Sequence, residues 1–457
     1  MFKKRSGESE RQRFPQPLIK SRIASGRGAM EQPNVTSDDA PLTPKFWLAL
    51  CLTGFATGLF GIALMWVLKQ FEHLAFNYNS GSYSDAVSAT SGLHRVVMLT
   101  IAGFVGAIGW YLIRRYLKNE KSEIDEAVWN GDGELSIRRS FFTSVLSEIV
   151  IGLGACIGRE AAPKLMGGVS GSVLSHWFDL SSSQKRLLVA CGGGAGFAAV
   201  YNVPLGGAIF TSEVLLGSFS LPTVLPALAC SLIATFTGWL YLSSGPTYAH
   251  IPNFNFSGSI MAWSIPAGLI IGALATGYVR LIGLAAHKRA KGNSIFWKMP
   301  LAFALIGVIG IRYPQLFGNG KDMANEALLG LGGAGLLFAL FALKPLLTSL
   351  TLSSGAAGGL FTPFLSTGAA VGAFLGVIWT HFWPGTPIGA FALVGAAAMI
   401  GAAMQAPLAS MVIVVELTQN GFHLFLPILL ATTIATTFVR QVDGYSIYSA
   451  RLPRREE

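Results

Sequence analysis

The sequence predicts an all-α polytopic membrane protein, built as an inverted repeat of many tilted and broken helices. Three observations carry that reading. Hydrophobic residues make up 52% of the 457 positions and charged residues only 12%, about half the charged share of a soluble domain. Apolar segments are repeatedly cut short by glycine and proline, with 54 Gly and 21 Pro in all, as expected of half-helices that meet inside a bilayer. The chain also matches itself about two hundred positions on.

The elements follow in order. Residues 1–43 are polar, basic and without the apolar core of a signal peptide, and read as a disordered cytosolic tail. Apolar runs near 46–68 and 96–117 are each long enough to cross about 30 Å of hydrocarbon, with a polar stretch at 77–91 between them. A short helix is expected within 125–136. Beyond it the apolar segments shorten, at 187–199, 204–216, 221–242, 363–380, 390–403 and 407–416.

The formal charge of +10 is concentrated in the tail and in short loops. Arg114, Arg115, Lys118 and Lys121 form one cluster, His287, Lys288, Arg289 and Lys291 a second, and Arg440, Arg451, Arg454 and Arg455 a third. The positive-inside rule explains this distribution and puts both termini in the cytoplasm. It leaves no role for nucleic acid. Cys51, Cys156, Cys191 and Cys230 all lie in apolar stretches and read as small packing residues. The seven His lack metal-ligand spacing, and no motif calls for a metal or cofactor.

The repeat sets residue n against n + 201: Gly158 falls on Gly359, Gly167 on Gly368, and Gly171 on Gly372. At 203, Pro204-Leu205 falls on Pro407-Leu408 and Glu213 on Glu416. The halves run over 44–245 and 256–440, followed by a cytosolic helix and tail in 441–457. The direction of the spans makes the halves inverted, an arrangement that puts a transporter's site at the repeat interface.

Two motifs face each other across that repeat. Gly158-Arg159-Glu160-Ala161-Ala162-Pro163 places two charges between apolar segments, where each costs roughly 2.5–3.5 kcal/mol at mid-helix. One reading is a neutralised structural Arg–Glu pair. The other is a carboxylate at a helix start, where free N–H groups and the positive dipole end make an anion site. A carboxylate can fill such a site itself and leave it on protonation, which would make Glu160 a gate. Gly359-Leu360-Phe361-Thr362-Pro363 is the counterpart. The N–H groups of Leu360 and Phe361 would point at the same anion from the other side.

With these motifs the chain resembles the CLC family of chloride channels and proton-coupled chloride antiporters, over about 45–452, in its bacterial form without CBS regulatory domains. GREAAP is similar to the family's GREGP, GLFTP matches its GxFxP, and Tyr448-Ser449-Ala450-Arg451-Leu452 resembles the last helix with its central-site tyrosine. The resemblance implies transport of chloride and protons across a lipid bilayer, a homodimer with one pathway per subunit, and a bacterial inner membrane. It implies an anion site formed by Gly158, Arg159, Glu160, Gly359, Leu360, Phe361 and Tyr448.

Two departures qualify this picture. The family's GSGIP is replaced by Lys118-Asn119-Glu120-Lys121-Ser122, so Asn119 falls nearest to the lost anion-binding serine, with Ser122 the alternative. The segment from Pro204 to Val214 resembles the family's internal proton segment. Glu213 stands at its first acid, but Val214 occupies the usual proton-transfer position. Glu213 is therefore a candidate gating or proton residue, although bracing a helix is the blander reading for both Glu213 and Glu416. Proton-coupled chloride antiport is the leading expectation. A chloride channel (from Val214) and a transporter of fluoride or nitrate (from the lost GSGIP) are the alternatives. Gly168-Val169-Ser170-Gly171 also fits the serine motif of an intramembrane protease, but no second feature of that class accompanies it, so no enzyme is expected.

Overall fold

The computed structural model describes residues 40–118, 120, 123–129 and 131–451. The tail before Ala40, Asn119, Lys121, Ser122, Arg454 and Arg455 lie outside the described residues. The first half comprises α1 (Pro44–Phe76), α2 (Tyr83–Ser88), α3 (Gly92–Tyr116), α4 (Ile124–Trp129), α5 (Ile137–Gly152), α6 (Ala161–Trp177), α7 (Ser182–Tyr201), α8 (Pro204–Phe210) and α9 (Leu221–Gly238). The second comprises α10 (Gly258–His287), α11 (Ile295–Arg312), α12 (Lys321–Leu328), α13 (Ala334–Ser353), α14 (Phe361–Thr380), α15 (Ile388–Met404), α16 (Pro407–Thr418) and α17 (Phe425–Val442).

Local chemistry sets the boundaries. Thr43 caps α1 by accepting the Phe46 N–H at 3.3 Å, and Pro44 occupies the first helical position, where its missing N–H costs nothing. Ser181 and Gln184 close a capping box on α7. α7 and α15 both end on a left-handed residue, Asn202 and Gln405, each with φ of 56°. α8 and α16 then both restart on proline. α8 continues as a π-helix over Thr211–Leu216, whereas α16 stays α-helical to Thr418. Of the helix expected in 441–457, the described residues show one 3₁₀ turn, Ser449–Arg451.

Among the described residues, eight helices are long and apolar enough to cross a membrane. Large apolar side chains such as Phe104, Phe236 and Leu301 are at least half exposed on the outer faces, an arrangement that only a lipid environment accommodates. The protein is an integral membrane protein.

The two halves pack alike. α6 lies on α7 as α14 lies on α15, α7 on α9 as α15 on α17, and α1 on α9 as α10 on α17. Gly167 meets the backbone of Gly192 as Gly368 meets that of Gly395, so the repeat-matched glycines are places of close helix approach. Contacts between the halves join equivalents, α8 to α16 and Gly158 to Gly359. Equivalent elements meeting reciprocally is the signature of a two-fold axis running between the halves.

Two sequence readings change. Cys156, Cys191 and Cys230 are buried as packing residues, but Cys51 is exposed on α1. Arg114 and Arg289, read as loop charges, donate to the backbone around the α13–α14 turn. Arg114 reaches the Ala290 carbonyl at 3.2 Å as well as that of Gly355, and Arg289 reaches the Ala356 carbonyl at 3.0 Å.

Candidate functional site

The site forms where two helix pairs break. Gly154 and Gly355, each just after a helix end, have φ of +111° and +115°, a region open to glycine but strained for other residues. They turn the chain so that Gly158 and Gly359 run antiparallel and exchange two hydrogen bonds, at 2.8 and 2.7 Å. α6 and α14 start directly beyond this bridge.

Glu160 is 6% exposed and stands at the N-cap of α6, yet makes no capping bond to that helix. Its carboxylate crosses to the other half. Oε1 accepts the Phe361 N–H of α14 at 2.5 Å, and Oε2 accepts from the Tyr201 hydroxyl at 3.2 Å and the Thr362 hydroxyl at 3.3 Å. The Tyr201 and Thr362 hydroxyls also lie 2.6 Å apart, so their two protons are shared among these three contacts. The carboxylate lies directly over the glycine bridge, and a Cβ on either Gly158 or Gly359 would collide with it. The sequence reading had Glu160 serving the start of its own helix; the seat is instead the N-terminus of the counterpart helix, where unpaired N–H groups favour an anion.

Two cavities adjoin the residues of this seat. The first, about 90 Å³, is lined by Glu160, Lys164, Ser144, Phe361 and Tyr448, among others. The second, about 200 Å³, is lined by Arg159, Tyr201, Lys69, Lys321 and Asp322, among others. The consecutive residues Arg159 and Glu160 therefore line different chambers. Arg159 is not beside the anion seat as expected: its guanidinium stands 5.2 Å from the Tyr201 ring centre, and no ion pair joins it to Glu160 among the described residues. This excludes the neutralised Arg–Glu pair.

The remaining predicted residues divide. Gly359, Leu360, Phe361 and Tyr448 line the first cavity. The Tyr448 hydroxyl contacts the Met404 sulfur at 3.6 Å. Asn119 lies outside the described residues. Glu213 lines neither cavity; it accepts the Leu408 and Ala409 N–H groups at 3.2 and 2.6 Å, capping α16. Glu416 does the same for α8, accepting from Leu205 and Gly206 at 3.1 and 2.6 Å. The bracing reading describes both contacts. Lys344 donates to the Leu316 and Gly318 carbonyls at 3.1 and 2.9 Å. Ser170 donates to the Met166 carbonyl of its own helix at 2.9 Å.

Tyr201, Thr362, Lys164 and Asp125 were missed. Tyr201 is carried to Glu160 by the far end of α7, and no local pattern marks it. Lys164 was visible as a cation one turn after Glu160 on an apolar helix. It pairs with Asp125 of α4 at 3.2 Å. Glu148 of α5 is fully buried, and neither carboxylate oxygen has a hydrogen-bond partner among the described residues; its charged neighbours are Arg159, Glu160 and Glu72.

At the rim of the second cavity, burial lowers the affinity of Lys321 for its proton, and the nearby Arg159 adds to this. Burial raises the Asp322 pKa, against the opposing bond from the Ser84 N–H. Burial also pushes Tyr78 up to about 12.

A family model described as voltage gated chloride channel matches residues 103–440. The chain belongs to this chloride channel family. A Ralstonia nicotianae protein called ClcB-like is 30% identical over 420 residues, covering 89% of this chain and 96% of its own. The H(+)/Cl(-) exchange transporter ClcA of Yersinia pestis is 27% identical, covering 96% and 93%. Solved structures agree in fold. A slow cyanobacterial Cl−/H+ antiporter matches with TM-score 0.78 at 22% identity, over 89% of this chain and 97% of that one. A CLC-type fluoride/proton antiporter matches with TM-score 0.73 at 20%, with the same coverage.

Proposed function

We propose that the protein exchanges chloride for protons, with Glu160 as both gate and proton acceptor. The supporting observation is the seat itself: a buried carboxylate on the Phe361 N–H that lines one chamber, while its neighbours Arg159 and Tyr201 line a second. Those donors suit a chloride equally well. Protonating Glu160 weakens its hold on them, because a neutral acid is the poorer acceptor. The side chain then swings out and the anion takes its place. The first cavity opens to the cytoplasm and the second to the outside, with both termini cytoplasmic in a bacterial inner membrane. The active unit is a homodimer with one pathway in each subunit.

A chloride channel is the second reading. Val214, fully buried in the π-helix, leaves no acid at the family's internal proton position. Salmonella dublin ClcB, named a voltage-gated ClC-type chloride channel, is 27% identical.

The test uses purified protein in liposomes. A chloride gradient should drive protons uphill, and Glu160→Gln should abolish that coupling while chloride still moves. Chloride flux without uphill proton movement in the wild type favours the channel. Unchanged coupling in Glu160→Gln would refute the gate. Repeating the flux with fluoride and nitrate identifies the preferred anion.

A further inference from the structure

The first cavity contains a cation that the functional reading leaves unused. Lys164 lies one turn into α6, and only 15% of its side chain is exposed. Its ammonium is 4.7 Å from the centre of the Tyr448 ring and 3.2 Å from Asp125 Oδ1, itself on a side chain 10% exposed. Lys164, Asp125, Tyr448 and Glu160 all line the one chamber. An ammonium has three donors and no acceptor. Asp125 is its one hydrogen-bond partner among the described residues, so donors remain for a ligand in the chamber. The cavity, about 90 Å³, has room for several water-sized species.

We infer that Lys164 is a direct anion ligand of the first cavity and that Asp125 is a built-in counter-ion competing with the anion for it. This rests on the reading of that cavity as an anion chamber. Asp125 comes from α4, next to the segment that replaces the family's GSGIP, and Lys164 provides from α6 an attraction for anions in the chamber. The pair also sets a preference. A compact ammonium suits a small spherical anion, whereas a planar guanidinium favours planar oxyanions gripped by two parallel bonds.

Calorimetric titration of sodium chloride into the purified full-length protein tests this. Lys164→Gln should weaken chloride binding about tenfold, and Asp125→Asn, which frees the ammonium, should tighten it about threefold. Lys164→Arg should keep binding but raise the nitrate-to-chloride affinity ratio, which a purely structural lysine would not do. Wild-type affinity in Lys164→Gln overturns the assignment to Lys164. If that variant elutes as aggregate, Asp125→Asn decides: tightening supports the proposal, and unchanged affinity overturns it. Failure of the wild type and Asp125→Asn alike to bind chloride would instead sink the anion-chamber reading, and this inference with it.

Discussion

At the scale of single residues, the proposed gate is a matter of where one side chain fits. Gly359 carries no Cβ, and the Glu160 carboxylate fills the space a Cβ would take. Gly359→Ala should therefore eject the flexible end of Glu160 rather than distort the backbone. The expected outcome is chloride efflux that is raised and nearly independent of pH, measured in liposomes between pH 4.5 and 7.5. Glu148 illustrates a different balance. A buried carboxyl group whose oxygens lack hydrogen-bond partners is costly, and replacing it by an apolar group of similar shape removes that cost. Glu148→Met should raise the melting temperature in a detergent thermal-shift assay; a fall would mean that the carboxylate has an ordered partner. Sequence reasoning reached Glu160 and the Phe361 N–H because both lie in contiguous motifs. It grouped Arg159 with Glu160, although the two line different cavities, because adjacency in sequence does not reveal which way successive side chains point once the helix has broken. Tyr201 escaped it because its contact with Glu160 spans 41 positions and exists only after α7 has folded back.

At the scale of elements, α8 and α16 hold each other. Each donates its first N–H groups to a glutamate from the end of the other's segment. Loss of a cap costs about 0.5–2 kcal/mol. Glu213→Ala and Glu416→Ala should each lower the melting temperature. The double variant should fall by less than the sum, because both caps lock the same interface. Additive losses would mean that the two caps act independently. The repeat pairing of these glutamates was readable from their spacing. Their swapped partners were not, since spacing gives equivalence but not contact. α12 makes a separate prediction. Burial raises the Glu326 pKa from 4.5 to about 7, against a bond from Gln315. The folded protein then holds this proton more tightly than the unfolded chain. The stabilisation is present below about pH 4.5 and lost as pH rises through 7. The melting temperature of Glu326→Gln relative to wild type should climb across that window, and a flat difference would contradict the assignment.

At the scale of the whole molecule, composition and periodicity were enough for the fold class, the broken helices and the repeat, because a bilayer imposes those patterns on any chain that crosses it. What they could not supply is the pairing of the halves, which determines that a carboxylate from one repeat rests on the helix of the other. The basic clusters show the same limit. As loop charges they fit a topology rule, yet Arg114 and Arg289 converge on the carbonyls of the α13–α14 turn and so help hold the second helix start in position. Charge counting sees the sign of such residues and not their partners.

The glycine bridge also has a kinetic consequence. Its backbone bonds join the two halves directly beneath the Glu160 carboxylate, so the proposed gate needs to move a single side chain rather than a domain. If every passage needs a fresh proton, turnover cannot outrun proton arrival. At pH 7 and a diffusional rate constant of roughly 10⁹–10¹⁰ M⁻¹s⁻¹, that arrival is about 10²–10³ per second. Single-turnover rates below this ceiling that scale with proton concentration would mark a device clocked by protons. Rates far above it would mean that the latch, once released, stays open for many ions.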